Sequence, residues 1–335
     1  MKMNIPNQLT LFRMLMVPAF FVASMLEFKH HAVVALLIFF FACVTDFFDG
    51  LYARTHNQIT VFGSLMDPVA DKLITTSALF LFVYLGWCDM FVPIIILARD
   101  YLMTAVRIVA SKQGVVIRAN IWGKLKTIFQ MVFSGLVLIG NVLREYNIFF
   151  TEAVSLPGAD GQKGFTFTFN MFAGTLMWIV VICSIISGVT YYLQSRKLLE
   201  SAESRKLLST LVYEEFFYPA LITGALVYFM NAKVANIITI MVIIAMSIIV
   251  TSFQMIATSQ NVKLPIKPWN DLKMVKMLLL TVMLLLKILH DLFQVMNGKT
   301  LSVIGNVIVG LLAVLSIAAG IIFMVQSKKK IDFSK

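Results

Sequence analysis

Apolar stretches of roughly 20 residues dominate the chain, and this is the length at which a helix crosses the hydrocarbon core of a bilayer. Apolar residues make up 59% of the 335 positions, and charged residues only 13%. This composition is typical of integral membrane proteins. The sequence therefore predicts an all-α, polytopic membrane protein. The predicted spans cover residues 8–28, 33–54, 65–87, 91–112, 122–143, 167–193, 213–230, 234–258, 271–292 and 301–325.

The distribution of lysine and arginine predicts the orientation of these spans, because short loops rich in both residues stay in the cytoplasm. Every second connection is basic, with Arg54, the cluster from Lys112 to Lys126, the cluster from Arg196 to Lys206, Lys263 with Lys267, and Lys328 to Lys330. Both termini are therefore expected on the cytoplasmic side of the cell (inner) membrane. The net charge of +11 is interpreted as this topology plus attraction to anionic lipid head groups, not as a nucleic-acid surface.

Four aspartates, Asp46, Asp49, Asp67 and Asp71, lie within 26 residues of this apolar chain. A charged side chain at membrane depth costs about 2.5–3.5 kcal/mol on insertion scales, so such a group marks a functional site. On helices, Asp46 and Asp49 share one stripe, and Asp67 and Asp71 share one face of the next span. The two pairs are expected to face each other at the inner ends of the second and third spans.

Small residues follow the same two stripes. Gly50, Ala53 and Gly63 carry almost no side chain, which lets two helices approach closely or leaves room for a ligand between them. Arg54 follows directly and is suited to hold a phosphate oxygen. Oxygen ligands without cysteine or histidine favour Mg²⁺ or Mn²⁺. Four carboxylates could hold two such ions, an arrangement used in phosphoryl chemistry.

The pattern D-x2-D-G-x2-A-R-x8-G-x3-D-x3-D, which runs from Asp46 to Asp71 without a gap, resembles the signature of the CDP-alcohol phosphotransferases. The resemblance extends over residues 4–197 and includes N-I-P-N-Q-L-T-L-F-R at the start, A-R-D around Arg99, and W-G-K-L-K-T at 122–127. Within the family, these phrases are most similar to bacterial phosphatidylglycerophosphate synthases. The resemblance implies a six-helix catalytic bundle over residues 1–197.

The resemblance also implies roles for individual residues. Asp46, Asp49, Asp67 and Asp71 would hold two divalent ions, and Asp71 would act as the general base. The residues expected to line the CDP moiety are Asn7, Thr10, Arg13, Gly50, Ala53, Arg54 and Gly63. The implied reaction transfers the phosphatidyl group of CDP-diacylglycerol to glycerol 3-phosphate and releases CMP.

The implied acceptor carries a phosphate of its own, so a second anion pocket is expected near the inner face. Its candidates are Arg107, Arg118, Lys124 and Lys126, which flank the connection between the fourth and fifth spans. Two alternatives stay open. A related enzyme could use serine, an inositol phosphate, or phosphatidylglycerol as acceptor, and a cation-coupled transporter or membrane scaffold could keep the carboxylates for another purpose.

Residues 198–335 lie beyond the resemblance, and we interpret them as a charged linker, 198–212, followed by a degenerate copy of the third to sixth spans, 213–335. Self-alignment with an offset of 147 pairs Trp122 with Trp269 and Lys126 with Lys273. The outer loop of the copy is shorter than its counterpart, so the offset falls to 132 beyond that loop. The copy lacks the metal motif, because Asp46 and Asp49 have no equivalent in it and Glu214 and Tyr218 align with Asp67 and Asp71. Since family members form homodimers through the third and fourth spans, the chain is expected to form a homodimer or an internal pseudo-dimer.

Overall fold

The computed structural model describes residues 5–26, 28–55, 61–112, 121–148, 154–155, 166–195, 212–260, 262, 267–294 and 297–328. Nearly all of them are helical, which confirms the predicted all-α class. The first six helices are α1 (Ile5–Met25), α2 (His31–Thr55), α3 (Val61–Tyr84), α4 (Phe91–Lys112), α5 (Ile121–Glu145) and α6 (Phe169–Ser195). The others are α7 (Tyr218–Asn231), which a π-helical turn at Tyr213–Phe217 precedes, α8 (Ile237–Ser259), α9 (Lys267–Phe293) and α10 (Gly298–Lys328).

Five helices contain segments that are long and apolar enough to cross a membrane, judged by length and composition over the described residues. These segments are Gln8–Met25, Ile121–Glu145, Phe169–Ser195, Ile237–Met255 and Gly298–Ser327. A shorter apolar segment, His31–Asp46, lies in α2. The prediction of an integral membrane protein is confirmed. The predicted loop at 143–166 contains a short strand, Val154–Ser155 (β1), which pairs antiparallel with Thr166–Phe167 (β2).

The structure divides into two compact units. The first unit comprises Met1–Val92 and Ile121–Ile186. In this unit α1 packs on α2 and α3, and α5 packs on α2 and α3. Glu145 at the end of α5 accepts hydrogen bonds from the backbone amides of His30 and Ala32, at 3.0 and 3.1 Å. Because the first amides of a helix have no partner within the helix, this carboxylate fixes the start of α2.

The second unit comprises Pro93–Asn120 and Ser187–Lys335. In this unit α8 packs on α7 and α10, and α9 packs on α7 and α10. The helix α4 belongs to the same unit, where the hydroxyl groups of Tyr101 and Thr223 form a buried hydrogen bond of 3.1 Å. The core of this unit is apolar, with Leu226 and Phe229 fully buried.

The turn from α3 to α4 begins with a residue in the left-handed conformation. Gly86 has a φ angle of +73°, which suits glycine because it has no Cβ. The amide of Trp87 donates to the carbonyl of Phe82 at 2.7 Å. The side chain of Asp89 then accepts a hydrogen bond from the amide of Phe91 at 3.2 Å and caps the start of α4.

The turn from α7 to α8 has the same hydrogen bonds. Lys233 has a φ angle of +55°, and the amide of Val234 donates to the carbonyl of Phe229 at 2.9 Å. The side chain of Asn236 accepts from the amide of Ile238 at 2.8 Å and caps α8. Each of these residues lies 147 positions after its counterpart in the earlier turn.

Candidate active site

Five polar residues from α1, α2 and α3 meet within the first unit. The helical spacing of three residues places Thr10 and Arg13 on one face of α1, and a spacing of four places Asp67 and Asp71 on one face of α3. Asp46 reaches the same place from α2. The structure thus brings together predicted metal ligands and predicted CDP contacts.

Arg13 lies between two of the aspartates. Its side chain is fully buried, and its Nη1 donates to Oδ1 of Asp46 at 2.7 Å and to Oδ1 of Asp71. Because one nitrogen contacts both carboxylates, the acidic faces of α2 and α3 adjoin, as their spacing predicts. The side chains of Asp46 and Asp71 remain 31% and 33% exposed. A ligand can therefore reach the carboxylates while the arginine stays covered.

Thr10 makes the third contact between α1 and the aspartates. Its hydroxyl donates to Oδ1 of Asp67 at 2.5 Å, and the threonine itself is fully buried. A hydrogen bond to a carboxylate stabilises the charged form of the acid. The entry helix α1 therefore fixes the positions of carboxylates on both neighbouring helices.

The donor set of this site fits a hard divalent cation. The site offers carboxylate oxygens from Asp46, Asp67 and Asp71, without a sulfur or imidazole ligand. Mg²⁺ and Mn²⁺ prefer such oxygen ligands. Across the described side chains, no three acidic, histidine or cysteine groups already surround one metal position. Arg13 supplies the positive charge between Asp46 and Asp71.

Several predicted site residues lie in the helices near these carboxylates. The backbones of Asn7, Asp49, Gly50, Ala53, Arg54 and Gly63 are helical, but their side chains lie outside the described residues. Arg118 lies wholly outside them. The roles expected for these residues therefore stay predictions.

The other candidates for the acceptor pocket differ in exposure. Lys126 is 4% exposed on α5, in the same unit as the aspartates, whereas Lys124 is exposed. Arg107 belongs to the second unit and is exposed, with its guanidinium carbon 5.8 Å from the centre of the Tyr191 ring. Of these three residues, Lys126 is the one that is both buried and in the same unit as the aspartates.

A partly buried ion pair on α4 lies in the A-R-D phrase, to which the sequence alone gave no site role. Arg99 donates to Oδ1 of Asp100 at 2.9 Å and to the Ser187 hydroxyl of α6 at 2.5 Å. Its side chain is only 14% exposed. The available signal was an arginine within an apolar run. The partner could not be found, because Ser187 lies 88 residues away.

These features define a class, namely helical membrane proteins with a carboxylate-rich polar site formed by neighbouring helices. The profile of one family, the CDP-alcohol phosphatidyltransferases, matches residues 3–186. The chain belongs to this family and is an enzyme of it. The matched region contains Thr10, Arg13 and all four motif aspartates, and it ends before α7.

Similar proteins come from several bacteria. The chain is 30% identical over 212 residues to the CDP-diacylglycerol–glycerol-3-phosphate 3-phosphatidyltransferase of Bacillus subtilis, which covers 59% of this chain and 98% of that protein. It is 38% identical over 164 residues to the Salmonella typhimurium protein of the same name, covering 46% and 89%. It is 43% identical over 139 residues to a probable phosphatidylglycerophosphate synthase of Mycobacterium tuberculosis, covering 41% and 66%.

Proposed function

We propose that this protein transfers the phosphatidyl group of CDP-diacylglycerol to glycerol 3-phosphate, forming phosphatidylglycerophosphate and CMP. The observation that carries the proposal is the convergence of Thr10 and Arg13 on Asp46, Asp67 and Asp71. The choice of acceptor is supported by the names of the Bacillus and Salmonella relatives. The reaction belongs to phospholipid biosynthesis.

Asp71 is the proposed general base. As the acceptor hydroxyl oxygen bonds to the lipid-side phosphorus of CDP-diacylglycerol, its proton passes to the Asp71 carboxylate. The bond from this phosphorus to the oxygen bridging to CMP breaks, and CMP leaves with that oxygen and the electron pair. The side chain of Asp71 is 33% exposed, so substrate can reach it.

Charge neutralisation and positioning supply the rest of the catalysis, as is general for phosphoryl transfer. Arg13 provides a buried positive charge beside Asp46 and Asp71, and Thr10 fixes Asp67. Mg²⁺ or Mn²⁺, proposed as two ions held by the four motif aspartates, would neutralise the phosphate charge. Lys126, with Arg107, Arg118 and Lys124, is the proposed contact for the acceptor phosphate.

The test is an assay of purified protein with CDP-diacylglycerol, Mg²⁺ or Mn²⁺, and a panel of acceptors. We expect CMP release with glycerol 3-phosphate, and background release with serine, inositol phosphate or phosphatidylglycerol. Release that depends on one of the other acceptors would replace the proposed substrate. Release with none of them would contradict the proposed transfer.

We also propose that the site opens to the cytoplasm, with both termini on that side. The support is the alternation of basic and poorly basic connections in the sequence. Labelling of single cysteines by a membrane-impermeant reagent tests this topology. Modification of a cysteine placed at the C-terminus, measured in sealed whole cells, would contradict it.

A further part of the proposal is that the segment 213–335 is a degenerate copy of α3–α6. Its support includes a pair of helix contacts. A Cβ atom on Gly188 would lie 3.2 Å from Cγ of Arg99, and one on Gly320 would lie 2.0 Å from Cε of Met246. The sequence offsets of 147 and 132 pair Arg99 with Met246 and Gly188 with Gly320.

The copy is proposed to take the place of a dimer partner. The support is the grouping of α4 with α7–α10 in one compact unit, including the hydrogen bond between Tyr101 and Thr223. The expected result of mass measurement in detergent is one chain per particle. A homodimer crosslinked through α3 and α4 would contradict this arrangement.

A further inference from the structure

A small cavity in the second unit is lined by two buried lysines. Lys273 and Lys276 of α9 are 7% and 3% exposed. The cavity has a volume of about 20 Å³ and is also lined by the hydroxyl-bearing residues Thr223 of α7 and Ser247 of α8. This volume is enough for about one water-sized oxygen atom. The cavity is therefore both polar and electropositive, in a part of the chain beyond the matched family profile.

Lys273 has a partner for its charge. Its Nζ lies 3.3 Å from Oε1 of Glu215 and donates to the backbone carbonyl of Glu214 at 3.0 Å. Glu215 is 5% exposed, so the ion pair is buried. Glu215 therefore balances the charge of Lys273.

Among the residues that the structure describes, Lys276 has an aromatic ring beside it instead of a carboxylate. Its Nζ lies 4.6 Å from the centre of the Trp269 ring, and Trp269 is 2% exposed. Within the described part of the chain, no carboxylate forms an ion pair with Lys276. A cation–π contact contributes about 0.5–2 kcal/mol, less than the several kcal/mol that desolvation of an ammonium group costs.

Lysines in membrane helices usually avoid this cost by extending to the interface. Lys276 does not, because its side chain is enclosed over Trp269. A cation would be repelled by the two lysines, and a neutral ligand would not offset the cost of a buried ammonium group, whereas an anion stabilises the charged form of Lys276. The chemistry that completes the site is an anion with oxygen acceptors.

We propose that this cavity, which we name the Lys276 site, binds a phosphate group. One phosphate oxygen would occupy the cavity and accept from Lys276 Nζ and from the Ser247 and Thr223 hydroxyl groups. The other oxygens would lie at its mouth, since the cavity holds only one. Ile222, Ile243 and Ile244 complete the lining and keep the contact dry, which strengthens it. The phosphate belongs either to an anionic phospholipid or to free phosphate.

The test compares the full-length protein with Lys276→Met, in neutral detergent with chelator and without CDP-diacylglycerol. The ligands are inorganic phosphate, matched by chloride at equal ionic strength, and phosphatidylglycerol, matched by diacylglycerol. Binding is measured as the rise in Tm with ligand concentration. We expect Lys276→Met to weaken binding at least about tenfold, because a charge-assisted hydrogen bond is lost.

Two further variants keep the test specific. Ser247→Ala removes only a neutral contact and should weaken binding by a factor of roughly 3 to 10. The matched control is Lys287→Met, because Lys287 lies on the same helix but pairs with Asp291 at 2.5 Å. This control should bind like the wild type. Phosphate binding at the proposed acceptor residues would be the same in every variant, so it would not contribute to the difference.

Each result has a defined meaning. A response to inorganic phosphate that Lys276→Met abolishes supports a free phosphate, and a response only to phosphatidylglycerol supports a lipid head group. Equal binding by the wild type and Lys276→Met would overturn the proposal. Absence of any response in the wild type would do the same, and would leave water as the occupant. Neither outcome bears on the transferase reaction, because these assays contain no CDP-diacylglycerol.

Discussion

Helices α3–α6 and α7–α10 resemble each other in their turns and differ in their charged residues. The turns after α3 and after α7 have the same capping hydrogen bonds and a left-handed residue at the same place, Gly86 and Lys233. In contrast, Asp67 of α3 aligns with Glu214, but Asp71 has no acidic equivalent. Tyr218, which aligns with Asp71, donates to the sulfur of Met274, at 3.7 Å.

This difference shows that two sets of helices can share the backbone geometry of their turns without sharing the acidic side chains of the site. Caps and small residues set the ends and spacing of helices, and both sets of helices keep them. The proposed catalysis instead depends on side chains that converge from α1 and α2. The second set of helices has no counterpart of either. Its polar residues form the Lys276 site instead.

The largest effect that distinguishes the two regions is expected from Asp71→Asn. Loss of a general base lowers turnover by about 10²–10⁴-fold, and the amide also removes a proposed cation ligand. The measurement is CMP release from CDP-diacylglycerol with glycerol 3-phosphate. The matched control, Tyr218→Phe, should stay within about twofold of the wild type. Equal effects of both changes would contradict the proposal that Asp71 acts in catalysis and Tyr218 does not.

Arg13→Gln and Lys273→Gln compare two buried cations, one on α1 in the first unit and one on α9 in the second unit. Arg13→Gln should lower CMP release at least about 100-fold, because two charge-assisted contacts to Asp46 and Asp71 are lost. Lys273→Gln should lower the free energy of unfolding by about 3–5 kcal/mol, since Glu215 is left buried and unpaired. Its turnover per folded protein should stay unchanged. A wild-type rate of CMP release by Arg13→Gln would show that this residue of α1 does not contribute to the reaction.

Gly305→Ala and Gly174→Ala compare how closely each turn approaches a helix, although the offset of 132 pairs Gly305 with Ala173 and not with Gly174. A Cβ atom on Gly305 would lie 2.5 Å from the carbonyl oxygen of Val234, whereas one on Gly174 would lie 4.0 Å from that of Trp87. Because backbone cannot yield easily, Gly305→Ala should destabilise the protein by about 1–3 kcal/mol. Gly174→Ala should be neutral or slightly stabilising. Thermal unfolding in detergent measures both, and equal losses would show that the two approaches are equally tight.

The smallest effects are expected at the two left-handed residues. Gly86→Ala should cost about 1 kcal/mol, because a Cβ disfavours the φ angle of +73°. Lys233→Gly should be neutral or gain less than about 1 kcal/mol for the same reason. The readout is the difference in Tm between each variant and the wild type. A gain for Gly86→Ala would refute the proposed equivalence of these turns.

The helices were predictable because long apolar runs and capping residues are local signals. Every predicted span falls on a helix, with ends that differ by a few residues. The adjacency of Asp46 and Asp71 was also predictable, because helical spacing puts each on the face that carries the rest of its motif.

Contacts between distant segments were not predictable in the same way. Arg13 was expected beside CDP, but its contacts with Asp46 and Asp71 depend on how α1 is rotated against α2 and α3. The burial of Lys276 over Trp269 depends likewise on the packing of α9. Such rotations follow from the fit of many side chains and have no single signal in the sequence.

The central claim is that the carboxylates of α2 and α3 support phosphatidyl transfer with a bound divalent cation. The most direct measurement is CMP release by the purified protein before chelation, after chelation, and after return of Mg²⁺ or Mn²⁺. We expect release to fall to background in excess chelator and to recover with the cation in the wild type but not in Asp71→Asn. Undiminished release in excess chelator would contradict the claim.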